Sequence, residues 1–153
     1  MNITWKIKKF AELSVFELYA IVQLRTEVFI VEQNCPYQDT DEKDFKSFHL
    51  MGFDENETLV AYSRILPQDV SFPEVSIGRV VSSPKARGTG VGKQLMRKAI
   101  SVVEEKFGKT SIHIGAQLYL KKFYESFGFV QISEEYLEDN IPHIEMIKKE
   151  QKN

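Results

Sequence analysis

The stretch Ile77-Gly78-Arg79-Val80-Val81-Ser82-Ser83-Pro84-Lys85-Ala86-Arg87-Gly88-Thr89-Gly90-Val91-Gly92-Lys93 runs a β-branched segment into a glycine-rich turn. A helical pattern follows it, with Val91, Leu95, Ala99, Val102 and Val103 on one side and Gly108 as a stop. Glycines at alternate positions leave the turn's N–H groups unshielded, and a helix N-terminus adds about half a positive charge. Such a turn suits an anion, with a pyrophosphate as the best fit. The same glycines also suit a plain tight strand-to-helix connection, and spacing alone leaves both readings open. Two nucleotide motifs fail on position. A Walker sequence needs glycine at 87 and Ser or Thr at 94, where this chain has Arg87 and Gln94, and a dinucleotide fingerprint needs glycine where Lys93 stands.

Outward from that turn, the rest of the chain reads as alternating elements. Residues 3–8 alternate as a strand. Ser14 to about Glu32 has helical periodicity, with Ser14 as cap and Glu17 as its capping-box partner. The polar, proline-containing run from Gln33 to Asp44 reads as a loop suited to a pocket rim. Strands are predicted at 47–53, 58–65 and 75–82, the first two joined by a hairpin at Asp54–Glu57. A helix over 90–107 precedes a strand at 111–115, a short helix at 117–126, and closing strands at 128–132 and 144–147. This order predicts an α/β (α+β) fold: a mixed, mostly antiparallel sheet with helices packed on it and one parallel crossover through the 90–107 helix.

With 153 residues and no internal repeat, a single domain over 1–153 is expected. A hydrophobic fraction of 42% with 27% charged residues is that of an ordinary soluble core-forming chain. A formal charge of -2 argues against nucleic acid as the main partner. No apolar run approaches the length of a membrane span, and the first residues do not read as a signal peptide, so a cytoplasmic location is expected. The lone Cys35 forms no internal bridge or paired metal site, and the three histidines are far apart in sequence, so no metal is expected.

The pattern Arg87-x-x-Gly90-x-Gly92 resembles the acyl-CoA signature of the GNAT N-acetyltransferase superfamily. Four further blocks resemble its ElaA-type branch: Leu24 through Tyr37, Ile77-Gly78-Arg79-Val80, Phe123-Tyr124-Glu125-Ser126-Phe127-Gly128-Phe129, and Glu138 through Met146. Asn140 stands where a glycine is expected, and asparagine also accepts a left-handed turn. The resemblance implies helices on both sheet faces and a groove where the 77–82 and 111–115 strands splay apart. It implies acetyl-CoA held by Arg79, Val80 and Val81 through unpaired backbone groups, and by Arg87, Gly88, Thr89, Gly90, Val91, Gly92 and Lys93 around the pyrophosphate. Gln117 and Tyr124 complete the implied set.

Transfer to an amine needs the neutral amine, and reaching it from an ammonium of pKa near 10.4 at pH 7 costs about 4 to 5 kcal/mol without a base. The resemblance implies Tyr124 as general acid to the leaving thiolate. Glu32, His49, His113 and His143 are base candidates by chemistry, and the family-like blocks favour His143 and Glu32. His113 alternates with Ile112 and Ile114 and also reads as a satisfied strand histidine. Cys35 lacks an activating neighbour and reads as a pocket-wall residue. The acidic residues from Asp39 to Asp44, with Glu134, Glu135, Glu138 and Asp139, read either as solvated surface or as a lure for a cationic acceptor. The expected acceptor is an amine of a small molecule or peptide, and a homodimer is an expectation drawn from the family. Two alternatives remain: an acyl-CoA-binding or sensing domain without catalysis, and an interaction protein using Phe45, Phe48, Phe53 and Phe72.

Overall fold

Ser14 caps the first helix: its Oγ accepts from the Glu17 amide at 3.0 Å, and Glu17 Oε1 accepts from the Ser14 amide at 2.8 Å. The structure, a computed structural model, describes residues 1–150. In chain order the elements are β1 (Thr4–Lys9), α1 (Val15–Arg25), β2 (Phe48–Phe53), β3 (Leu59–Leu66), β4 (Ser76–Ser82), α2 (Val91–Phe107), β5 (Ile112–Gln117), α3 (Lys121–Glu125), β6 (Val130–Gln131), β7 (Tyr136–Glu138) and β8 (Ile141–Lys148). The helical period predicted to Glu32 is real but changes pitch. Beyond Arg25 it continues as a π-helical stretch over Thr26–Glu32, where the Thr26 hydroxyl donates back to the Val22 carbonyl and competes for it.

Two antiparallel sheets form, one in the order β1-β2-β3-β4 and the other β5-β8-β6, with β7 also on β8. Strand alternation splits adjacent residues between two cores. Leu50 packs with Leu95, Met96, Ala99 and Val103 of α2, whereas its neighbour Met51 packs with Ile21, Leu24 and Val28 beneath α1. Helices therefore cover both faces of the first sheet, and every residue of β3 between them is buried. Among the described residues the sheets join through a single parallel bridge, Val75 to Ile112, where the His113 amide donates to the Val75 carbonyl at 2.9 Å. Beyond that bridge β4 and β5 diverge into separate sheets.

Three expectations need correction. The strand predicted at 128–132 is only two residues long, because Gly128 takes a positive φ of 94° and delays pairing. A short strand, β7, adds to the expected order; Asp139 and Asn140, at φ 49° and 65°, turn it back onto β8. Phe48, Phe53 and Phe72 do not form an apolar patch with Phe45: Phe48 and Phe53 pack against the two cores, Phe72 stacks on His113, and only Phe45 is largely exposed.

Candidate active site

A cleft of about 910 Å³ opens where β4 and β5 part, walled also by the end of the π-helical stretch, the loop after it, α3 and the β7–β8 turn. β4 itself is irregular along this wall. Tyr62 pairs with Val81 and Arg64 with Gly78, so the single Ser63 faces both Arg79 and Val80. This is a bulge, with Arg79 at φ 49° absorbing the extra residue. The β4 edge that faces the cleft has no ladder partner past Val75, which leaves strand amides and carbonyls of Arg79, Val80 and Val81 beside open space.

The glycine turn adjoins the cleft through Arg87, which lines it. Gly88 and Gly90 adopt φ of 80° and 82°, and a Cβ on either meets nothing within 4 Å. The glycines thus serve a left-handed backbone, with open space in front of it. Gly90 caps α2, and the first-turn amides of Val91, Gly92 and Lys93 have no acceptor inside the helix. The Val91 side chain is buried in the core, so only its backbone faces an anion, while the Thr89 hydroxyl is spent on the Ala86 carbonyl.

Arg87, on the same turn, is bound by Glu32: its two terminal nitrogens donate to the two carboxylate oxygens at 2.8 and 2.6 Å. The hydrogen bonds from Arg87 hold the Glu32 carboxyl below its usual range. A carboxylate so held is a poor proton acceptor. Glu32 lines the same cleft as Tyr124 and His143, with its carboxylate held on Arg87.

Tyr124 of α3 lines the cleft with only 6% of its surface exposed. Burial pushes its phenol well above the usual tyrosine value, so it stays protonated. His143 of β8 faces the same cleft, opposite Gln117 in the β5–β8 register. Its Nδ1 lies 2.7 Å from the Ile141 carbonyl, which can only accept, so Nδ1 carries a proton. Nε2 lies 3.4 Å from the Glu138 carboxylate. Gln117 donates to Gln33 Oε1 at 3.3 Å, tying β5 to the loop. The Cys35 thiol is buried and donates to the Asp139 carbonyl at 3.2 Å, which ties the two turns of this rim together.

Glu42, Glu134, Glu135, Glu138 and Asp139 are exposed, as the solvated reading expects, whereas the three aspartates after Tyr37 are bound by arginines. Asp39 and Asp44 are buried, 8% and 9% exposed, on the wholly buried Arg25. Arg25 Nε donates to Asp39 and a terminal nitrogen to Asp44, each at 2.8 Å. Arg64 forks onto Asp41 at 2.6 and 2.7 Å and reaches Asp44 at 3.0 Å. Arg79 donates to the Asp39 carbonyl at 2.9 Å and its guanidinium lies over the Tyr37 ring. Burial disfavours the Asp41 charge, but the Arg64 fork outweighs it and brings the carboxyl down to about 2.

The other two histidines stand outside this chemistry. His49 is buried between the Tyr62 hydroxyl and the Asp44 carbonyl, and burial lowers its affinity for a proton. His113 bonds Glu74 and Glu145 with its two ring nitrogens and lies flat against Phe72 at 3.7 Å between ring centres. Among the described residues no group of His, Cys, Asp and Glu is arranged to hold a metal, and no helix is long and apolar enough to cross a membrane.

The family described as Acetyltransferase (GNAT) domain matches residues 18–150. The chain is 46% identical over 149 residues to Protein ElaA of Escherichia coli, covering 96% of this chain and 97% of that one. The crystal structure of that protein superposes with a TM-score of 0.90 over 97% of this chain and 100% of the other. The crystal structure of an acyl-CoA N-acyltransferase from Pseudomonas aeruginosa does so at 0.91 and 46% identity, over 96% and 99% of the two chains. A UPF0039 protein of Schizosaccharomyces pombe is 43% identical, over 95% of this chain and 96% of the relative.

Proposed function

The chain belongs to the GNAT acetyltransferase family, in its ElaA-like branch, and from that premise we propose that it is an acetyl-CoA-dependent N-acetyltransferase acting directly on an amine of a small molecule or peptide. One observation carries the reading: a strand edge without a partner, a buried tyrosine and a histidine share a cleft that Arg87, at the start of a left-handed glycine turn, also lines. The cradle fits the cofactor, since open space fronts both glycines and the free α2 amides supply donors for a pyrophosphate.

Acetyl-CoA supplies a thioester-activated acetyl group. The turn from Arg87 to Lys93 holds its pyrophosphate, and Arg79, Val80 and Val81 offer backbone groups to its extended arm, with Gln117 across the cleft. His143 Nε2 takes the proton that the amine gives up as the C–N bond forms. The Tyr124 hydroxyl gives a proton to the sulfur as the C–S bond breaks. Glu138 stands where it stabilises the imidazolium that His143 becomes.

Titration of the protein with acetyl-CoA in a calorimeter tests the cofactor site, with Gly90→Val as the variant. Valine at φ 82° strains the turn and fills the space in front of it, so stoichiometric binding is expected to disappear from a folded protein. Thiol release with an amine panel tests the chemistry: Tyr124→Phe is expected to lower kcat about a hundredfold or more while acetyl-CoA binding persists. Binding without thiol release from any amine marks a sensing domain instead.

A further inference from the structure

Part of the cleft wall is built from arginines that carboxylates already engage. Three arginines, Arg25, Arg64 and Arg79, face three aspartates, Asp39, Asp41 and Asp44, and the charges balance. Asp39 Oδ2 and Asp44 Oδ1 are engaged by Arg25. Asp41 accepts both Arg64 bonds, a longer one from Arg79 at 3.4 Å, and the Lys43 amide at 3.2 Å.

Lys43 stands on top of that balanced set. Its Nζ, in the cleft wall, meets only the neutral Ser71 hydroxyl, at 3.1 Å, and among the described residues it has no carboxylate partner. Donors are left over as well. Arg64, only 3% exposed and lining the cleft, has an Nε–H without an acceptor. Arg79 Nε lies 2.8 Å from Asp39 Oδ1 but is not aligned to bond it. Gly78, paired with Arg64 in the β3–β4 register, puts no side chain over that guanidinium, as a Cβ there would sit 3.8 Å from Arg64 Nε. Unpartnered N–H donors and a lysine without a carboxylate partner describe an anion subsite, while an exposed carboxylate of the cleft, Glu138, stands beside His143.

We propose that the acceptor is an amine that also carries a carboxylate, and that Lys43, with Ser71 and the Arg64 and Arg79 guanidinium edges, binds that carboxylate while the amine points toward His143. This rests on the N-acetyltransferase reading and narrows it. It also runs against the acidic stretch as a lure for a cationic acceptor, because Asp39, Asp41 and Asp44 are bound by arginines. Lys43 is a specificity residue here, remote from the reacting atoms.

The test compares aminoalkanoates of increasing length with their own carboxamides, and short peptides ending in a free carboxylate with the same peptides amidated, by kcat/KM. The expected result is a preference of at least about tenfold for the carboxylate member of one series, which also tells a free amino acid from a peptide end. The preference is expected to fall toward one in Lys43→Met and to return in Lys43→Arg. Equal rates, a preference for carboxamides, or a carboxylate preference that survives Lys43→Met overturns the proposal. If acetyl-CoA binds but no amine is acetylated, the transferase reading fails by itself. Calorimetry then decides the subsite: aminoalkanoate binding to the acetyl-CoA-loaded protein that is lost in Lys43→Met supports it, and no binding overturns it.

Discussion

Replacing Glu32 with glutamine separates two roles that the residue's chemistry alone allows. In the structure its carboxylate occupies the guanidinium of Arg87, which the GNAT signature assigns to the cofactor's pyrophosphate. Both side chains are substantially exposed, 40% for Glu32 and 44% for Arg87, so solvent screens the pair and it is worth about 0.2–1 kcal/mol. Removing the charge frees Arg87 by that amount, which tightens acetyl-CoA binding about 1.5- to 5-fold. The same figure limits the loss of stability, so Tm is expected to fall by no more than about 4 °C. Calorimetry at low and moderate salt reads the effect, and the gain is expected to shrink as salt screens the native pair. A general base gives the opposite signature: kcat falling about a hundredfold or more with cofactor affinity unchanged. That result for Glu32→Gln would refute the pairing argument and return Glu32 to the proton-transfer step.

The buried ion network makes further predictions for stability. Arg25→Met removes the most buried cation of the network and a 2.8 Å partner of both Asp39 and Asp44, and is expected to cost about 3 kcal/mol, lowering Tm by about 6 °C or more in thermal unfolding. An unchanged Tm would show that the network is not structural. Asp41 is held at about 2 in the folded protein against an unfolded value of about 3.9, and Asp44 is lowered in the same direction. Because the folded values are depressed, this stabilisation is complete above about pH 5 and is lost as pH falls through about 2. Circular dichroism is expected to show acid unfolding concentrated between about pH 4 and 2, with a shallower dependence in Asp41→Asn. An equally steep loss in that variant would place the acid-sensitive groups elsewhere.

Features encoded by near neighbours are legible in the amino-acid sequence. The Ser14–Glu17 cap, the glycine turn, the Gly108 stop and the amphipathic period of α2 each depend on residues within one or two turns of one another, so spacing alone specifies them. Family-like blocks likewise mark Tyr124 and His143, which the fold brings into one cleft. Arg25 carries a signal that is easily passed over, a lone charge inside an apolar helical face between Leu24 and Val28. Its partners lie 14 and 19 residues on, in a loop without periodicity, and the Glu32–Arg87 pair spans 55 residues. The Arg79 bulge has no glycine or asparagine at its left-handed residue to announce it; it exists because the flanking strand registers force an extra residue into β4. Local turns, element order and the cofactor signature follow from backbone preference and short-range spacing, so the linear order of residues is enough to specify them. Which charges neutralise one another, and which are left over for a ligand, is settled only on folding, because desolvated ion pairing depends on distances that arise once distant segments are packed together.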